Sequence, residues 1–193
     1  MRLTLDTNCI IDVEENRPNT PYVKALAVLH QTGRIIVGVP AIGASERQRE
    51  GGYAKSFSEF EMKLKSIDLD SLELLMPIGY LGITFIDFCL LADHKDSLEY
   101  DIHKVLFPNI EFQWNDYSLI HGGPTDIADK KWRNAKCDVL AMWCHIRNKG
   151  DIFVTSDKNF HKKATQLKSL GSEIISFPKD AVGIVQNSLE NAS

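Results

Sequence analysis

The sequence has few cysteines, and none is placed to build a disulfide framework or a structural zinc site. The four cysteines show no Cys-x-x-Cys spacing and no paired histidines at zinc-finger distance. We therefore expect reduced thiols, most of them buried in the protein core. These cysteines are Cys9, Cys89, Cys137 and Cys144.

A long hydrophobic run is also missing. The longest stretch without Asp, Glu, Lys or Arg covers the 13 residues 74–86, whereas a membrane-spanning helix needs about 20 apolar residues. The first residues do not resemble a secretory signal, because Asp6 stands where the apolar stretch of a signal would be building. We expect a cytoplasmic protein that does not associate with membranes.

The chain has no excess of positive charge, which most nucleic-acid-binding proteins carry. It contains 22 Lys and Arg against 26 Asp and Glu, for a net charge of −4. With 44% hydrophobic and 25% charged residues, the composition is that of an ordinary globular protein and excludes the disordered and collagen-like classes. A length of 193 residues predicts one domain over 1–193 with room for an insertion.

Apolar runs alternate with amphipathic segments, and this order predicts an α/β fold. A strand, helix, strand succession is typical of right-handed parallel units, so we expect a central, mainly parallel sheet. The predicted strands are Leu3–Leu5, Arg34–Pro40, Asp151–Asp157 and Glu173–Phe177. The predicted helices are Pro21–Thr32, Asp126–Ile146, Lys158–Leu170 and Pro178–Glu190.

The middle of the chain interrupts this alternation. Ala41–Lys65 is predicted as helical with a break at Gly51–Gly52, and the pattern of the outer parts returns only at Thr125. We therefore interpret residues 51–125 as a helical insertion. Helical spacing within it predicts helices over Ser71–Leu81, Ile83–Leu91 and Asp93–Leu106.

Four acidic residues are placed to meet at one edge of the predicted sheet. Asp6 directly follows the first predicted strand and Asp157 ends the predicted run Asp151–Asp157, and parallel sheets bind ligands outside the carboxyl ends of their strands. Glu46 and Asp138 lie near the beginnings of two predicted helices. Clustered carboxylates repel one another unless a cation neutralises them, and hard oxygen ligands favour Mg²⁺ or Mn²⁺.

The residues around these acids resemble the motifs of the PIN-domain ribonucleases. Residues 3–8, LTLDTN, look like the strand ending in Asp-Thr-Asn of the family's first motif, and Glu46 resembles the glutamate after its second strand. Residues 134–141, NAKCDVLA, look like the helix that carries the third acid. Residues 154–160, VTSDKNF, resemble the last motif, Thr-x-Asp-x-Asp/Asn-Phe. The resemblance covers residues 1–50 and 130–180, and residues 51–125 depart from it.

This resemblance implies a three-layer α/β/α fold and an endoribonuclease that hydrolyses single-stranded RNA with Mg²⁺ or Mn²⁺ as cofactor. By the same resemblance, the catalytic and metal-binding residues are Asp6, Glu46, Asp138 and Asp157. We expect four neighbouring polar residues to support them, namely Thr7, Asn8, Ser156 and Asn159. The sequence leaves open whether the chain is a toxin with a cognate antitoxin and whether it forms a homodimer.

Basic residues flank the third and fourth acids and could hold RNA phosphates beside a metal centre. The candidates are Lys131, Arg133, Lys136, Lys158 and Lys162.

Three alternatives compete with the nuclease interpretation. The protein could be a binding module that keeps the fold and docks RNA or protein without turnover. A phosphatase with a nucleophilic aspartate usually has a second acid two residues on, where this chain has Asn8. Taken singly, Asp6 and Asp157 could simply cap the helices that follow them.

Overall fold

The computed structural model describes residues 1–45, 56–91, 97–122 and 129–191. These residues form an α/β fold in which five parallel strands make one central sheet with helices on both faces. In sequence order the strands are β1 (Arg2–Leu5), β2 (Ile36–Pro40), β3 (Glu73–Leu75), β4 (Ile152–Val154) and β5 (Ile174–Ser176). The predicted fold class is thereby confirmed, and every strand pair is parallel.

The described residues also form eight α-helices. They are α1 (Thr7–Glu14), α2 (Thr20–Gln31), α3 (Phe57–Ser66), α4 (Ser97–Leu106), α5 (Trp114–His121), α6 (Lys130–Arg147), α7 (Lys158–Lys168) and α8 (Pro178–Glu190). Short 3₁₀ helices follow β2 (Ala41–Ser45) and precede α4 (Ile86–Phe88). Among all these helices, none combines the length and the apolar character that crossing a membrane requires.

The two faces of the sheet are covered by different helices. Leu3 and Leu5 of β1 face a core built with α1, α2, α3 and α8. Phe153 of β4 faces the opposite core, to which α4, α6 and α7 contribute. Alternate residues of a strand point to opposite faces, so continuous apolar runs are what a sheet buried on both sides requires.

The sequence prediction was wrong in part of the segment 51–125. No helix spans Ser71–Leu81, because Glu73–Leu75 pairs with β2 as the edge strand β3. The predicted helix Ile83–Leu91 is reduced to the 3₁₀ turn Ile86–Phe88. Helical spacing cannot distinguish a short edge strand from a turn of helix, since the ladder to β2 is a long-range interaction.

Other boundaries agree or fall outside the described ranges. Helix α4 ends at Leu106, as predicted for Asp93–Leu106. The predicted break at Gly51–Gly52 and the predicted return of the pattern at Thr125 lie outside the described residues. Helix α1, beginning at Thr7, was not predicted.

The strand order β3-β2-β1-β4-β5 places a topological switch point between β1 and β4. The chain moves from β1 outward to β3, returns to the other side of β1 as β4, and then continues to β5. In open parallel sheets a crevice forms at the carboxyl ends of such strands, and ligands bind there. A ligand-binding site is therefore expected at the carboxyl ends of β1 and β4.

Candidate functional site

Asp6 and Asp157 follow the two strands at the switch point. Thr4 and Leu5 of β1 pair with Phe153 and Val154 of β4, and the Asp6 amide continues the ladder by donating to the Val154 carbonyl at 3.0 Å. The prediction that these acids follow neighbouring parallel strands is confirmed. We call the residues after β1 and β4, 6–8 and 155–157, the carboxyl edge.

The Asp6 carboxylate is buried and accepts three hydrogen bonds. Its Oδ1 accepts from the Thr7 amide at 2.8 Å, which makes Asp6 the N-cap of α1. Its Oδ2 accepts from the Thr155 hydroxyl at 2.6 Å and from Asn8 Nδ2 at 2.5 Å. Asp6 is only 4% exposed, and these donors hold its side chain in one orientation.

Thr155 joins the two acids. Its hydroxyl donates to Asp6 and accepts from the Asp157 amide at 3.0 Å and from Asn8 Nδ2 at 2.8 Å. One hydroxyl has one donor and two acceptor positions, so Thr155 is fully bonded. Sequence reasoning did not select Thr155 as a site residue, although it stands in the quoted motif two positions before the acid.

Asp157 is half-buried and caps the next helix. Its Oδ1 accepts from the Asn159 amide at 2.7 Å at the start of α7. Its Oδ2 accepts no hydrogen bond from the part of the chain that the structure describes. The capping interpretation of Asp6 and Asp157 is correct, and it leaves their placement side by side unexplained.

A second layer of side chains holds the turn after β4 in place. Asn8 Oδ1 accepts from the Ser156 amide at 3.1 Å, which ties the end of β1 to the end of β4. Asn19 Nδ2 donates to Ser156 Oγ at 3.0 Å and to Asp12 Oδ2 at 2.8 Å. Sequence reasoning missed both Asp12 and Asn19, because α1 and the chain before α2 meet the edge only in the folded protein.

Of the predicted supporting residues, Asn159 contacts the segment 51–125. Its Nδ2 donates to the Leu106 carbonyl at 3.3 Å, so the end of α4 lies against the start of α7. The segment 51–125 therefore borders the carboxyl edge on this side.

Burial dominates the electrostatics of Asp6. The pKa of Asp6 is raised to about 6, mainly by desolvation; the hydrogen bonds from Thr155 and Thr7 lower it, and the negative charge of Asp157 also raises it. The carboxylates are thus close enough to repel each other. A buried acid beside a second acid is an arrangement that a cation would stabilise.

Two buried hydroxyl groups near the carboxyl edge have no hydrogen-bond partner among the described residues. Thr7 Oγ1 and Ser45 Oγ make no hydrogen bond to the described residues. Thr7 Oγ1 lies against Gly43, where an added Cβ would approach it to 3.0 Å, so the 3₁₀ helix Ala41–Ser45 packs directly on the start of α1. Buried hydroxyls normally find a partner, and these are oxygen donors available to a ligand.

Asp138 lies on α6, half-buried, on the face that turns toward β1. His145, seven residues later, has its Nδ1 3.0 Å from Thr4 Oγ1. Seven residues are nearly two helical turns, so both residues share that face and stand about 10 Å apart along the axis. Since α6 precedes β4 and runs opposite to the strands, Asp138 lies toward the carboxyl edge.

Glu46, the remaining predicted acid, lies outside the described residues. Ser45, which precedes it, is held at its carbonyl oxygen by Arg133 Nε of α6 at 3.1 Å.

The predicted RNA-binding residues divide into two groups. Lys131, Lys158 and Lys162 are exposed, so their ammonium groups can meet a phosphate. Lys136 is 1% exposed and forms an ion pair with Glu99 at 2.8 Å, so the prediction that it contacts RNA is corrected. Arg133 is half-buried and donates hydrogen bonds to the Ser45 and Gly82 carbonyls. These bonds give it a structural role in holding the chain at Ser45 and at Gly82 against α6.

The ligand atoms at the carboxyl edge are of the kind that a divalent cation prefers, but few acidic side chains are grouped there. All donors are oxygens, and Mg²⁺ is commonly bound by one or two carboxylates with waters completing the octahedron. Within 1–45, 56–91, 97–122 and 129–191, however, no three His, Cys, Asp or Glu side chains group closely enough to hold a metal ion. Asp6 and Asp157 are thus the pair that the structure brings together, and Asp138 does not close a three-acid cluster with them.

Comparison with known proteins gives no relative for this chain. No family model matches the sequence, and no curated protein and no solved structure matches it either.

Proposed function

We propose that this protein is a PIN-like endoribonuclease that depends on Mg²⁺ or Mn²⁺ and hydrolyses single-stranded RNA to leave a 5′-phosphate and a 3′-hydroxyl. The observation that carries the proposal is the buried Asp6 beside Asp157 at the switch point, joined through Thr155. The resemblance of the four acidic motifs to that family supports it.

The chain's own residues supply position and charge at this site. Asp6 and Asp157 would hold the cation, with Asn8 and Thr155 fixing the Asp6 carboxylate. When bound, a divalent cation neutralises phosphate charge and activates water. In the reaction the water oxygen bonds to phosphorus, the P–O3′ bond breaks, and O3′ leaves with its electron pair and takes a proton. Glu46 and Asp138 are proposed as further acids of this site.

The direct test is cleavage of end-labelled single-stranded RNA with EDTA, Mg²⁺ or Mn²⁺. We expect metal-dependent products with 5′-phosphates, and a loss of at least about a hundredfold in rate for Asp6→Asn and for Asp157→Asn. Asp151→Asn is a matched control, because Asp151 is an exposed acid at the opposite end of β4. Equal rates for the Asp6 and Asp151 variants would place the chemistry elsewhere.

A binding module without turnover is the second candidate. It is favoured by one observation, the absence of a three-acid metal group within the described residues. Under this alternative the chain binds labelled RNA with the same affinity in EDTA and in Mn²⁺ and leaves it intact. The same experiment therefore separates the two functions.

A further inference from the structure

The first turns of α6 carry a buried ion pair that the proposed reaction does not use. Lys136 Nζ lies 2.8 Å from Glu99 Oε1 of α4, and both residues are buried. The Tyr80 hydroxyl donates to the same carboxylate at 2.6 Å and 2.8 Å. Both charged groups thus have partners, without which burial would be costly.

Aromatic rings enclose the Lys136 ammonium group. Its Nζ lies 3.9 Å from the centre of the Phe112 ring, 4.6 Å from that of Tyr80 and 5.3 Å from that of Trp132. Such contacts between a cation and ring faces stabilise a desolvated charge. Since Tyr80, Glu99 and Phe112 all belong to the segment 51–125, this segment holds Lys136 through three side chains.

The same stretch of α6 makes further contacts with that segment. Arg133 donates to the Gly82 carbonyl at 2.8 Å, and Trp132 Nε1 donates to the Glu111 carbonyl at 2.9 Å. Arg133 also holds the Ser45 carbonyl, one residue before Glu46. The first two turns of α6 are therefore located by residues of the segment 51–125, and Asp138 follows Lys136 by two residues.

We propose that the Glu99–Lys136 pair is a positioning element, through which the segment 51–125 sets the place of Asp138 and of Ser45 relative to the carboxyl edge. This inference rests on the proposed function, because it assigns the pair a role at the same metal site. A substitution remote from the reacting groups that displaces them by about 1 Å can lower the rate about a hundredfold. Because three side chains of the segment hold Lys136, α6 has one defined position.

The test replaces both charges and keeps the shape. In Lys136→Met/Glu99→Gln the amide oxygen that replaces the Glu99 carboxylate still accepts from Tyr80, and the new thioether at position 136 suits an aromatic surround. Removing both charges of a buried pair is often neutral for stability, whereas removing one leaves the other unpaired. The matched control is Lys168→Met/Glu173→Gln, the same substitutions in an exposed pair 4.0 Å apart.

We expect the buried double variant to fold, with a thermal midpoint near that of the wild type. Its Mn²⁺ affinity, measured by calorimetry on the full chain, should fall about tenfold or more, and kcat on single-stranded RNA should fall while KM changes little. The control should match the wild type in all three. A smaller folded fraction would also lower apparent kcat at constant KM, but it would leave the Mn²⁺ affinity of the folded protein unchanged. A fall in Mn²⁺ affinity at an unchanged thermal midpoint therefore identifies the positioning role.

Mn²⁺ affinity and kcat within twofold of the wild type in the folded double variant would overturn the inference. Wild-type protein that binds no Mn²⁺ would overturn the proposed function itself, and the positioning role with it. The wild-type titration thus tests the metal site, and the comparison of variants tests the pair. Should the double variant fail to fold, Tyr80→Phe, which keeps both charges and removes only the hydroxyl contact to Glu99, is measured by the same criteria.

Discussion

Single residues at the carboxyl edge do two tasks at once. Asp6 and Asp157 cap α1 and α7, and they also stand side by side at the switch point. A capping aspartate gains about 1 kcal/mol over alanine, which explains why a helix begins there. Capping does not require a buried carboxylate that receives two further side-chain hydrogen bonds, and this excess points to a second use of Asp6.

Thr155→Val tests the residue that joins the acids. Valine keeps the shape but removes one donor and two acceptor positions from a fully buried site. We expect the free energy of unfolding, measured in urea, to fall by about 2 kcal/mol or more. Thr165→Val, an exposed position on α7, should change it by less than about 0.5 kcal/mol. Equal stabilities for the two variants would show that the Thr155 hydroxyl is not needed to hold the edge.

Asp6 makes the stability of the metal-free protein depend on pH. Its pKa is raised to about 6 in the folded chain from 3.8, so folding takes up a proton between these values. The free energy of unfolding then falls as pH rises through this window, by about 3 kcal/mol in all. Asp6→Asn removes this pH dependence. The free energy of unfolding of the variant minus that of the wild type should therefore rise by up to about 3 kcal/mol from pH 4 to 7.

The comparison with the variant isolates Asp6 from a second group that titrates in the same range. Burial lowers the pKa of His145 to about 4, so its contribution falls as pH falls, opposite in sign to that of Asp6. Because both proteins contain His145, its contribution cancels in the difference. A difference in unfolding free energy that stays constant from pH 4 to 7 would contradict a raised pKa of Asp6.

At the scale of elements, side-chain packing determines where α6 contacts the sheet. His145 of α6 fills the space beside β1 and touches the turn before β4, where Gly150 follows the helix. A side chain at residue 150 has no room. Helix α6, the turn at Gly150 and strand β1 therefore all meet at the fully buried imidazole ring of His145.

Two Gly→Ala substitutions give opposite results for this reason. At Gly150 an added Cβ would lie 2.2 Å from His145 Nδ1, so Gly150→Ala should lower the free energy of unfolding by about 2 kcal/mol or more. At Gly183, inside α8, nothing lies within 4 Å, and Gly183→Ala should raise it by about 0.5–1 kcal/mol. Urea denaturation of both variants checks the pair. Two changes of the same sign would contradict this packing.

At the scale of the whole molecule, the net charge of −4 conceals an uneven distribution. Exposed lysines stand at the beginnings of α6 and α7; α7 begins at the carboxyl edge, and α6 begins against the segment 51–125. Nearby acids would repel RNA, whereas a bound cation and flanking lysines would hold it. If the proposed function is correct, this arrangement would allow a mildly acidic protein to bind phosphates locally.

The salt dependence of RNA binding measures this contribution. In an Asp6→Asn background, replacing Lys131, Lys158 and Lys162 by alanine should flatten the slope of log affinity against log salt by roughly 0.7 per lost contact. Arg133 is left in place because it bonds two backbone carbonyls. Lys168→Ala, at the far end of α7, is the control and should leave the slope unchanged. An unchanged slope in the triple variant would move the RNA path to other surfaces.

The sequence by itself determined the alternation of strands and helices in the outer parts of the chain and the two acids that follow β1 and β4. These features depend on local patterns: apolar runs, helix caps and the residues that end a strand. Only the tertiary structure decided that Glu73–Leu75 is a strand, that Thr155 joins the acids, and that Lys136 is buried against Glu99. Each of these depends on partners far along the chain, and the free energy of such contacts is set by burial and pairing that no local window of sequence contains.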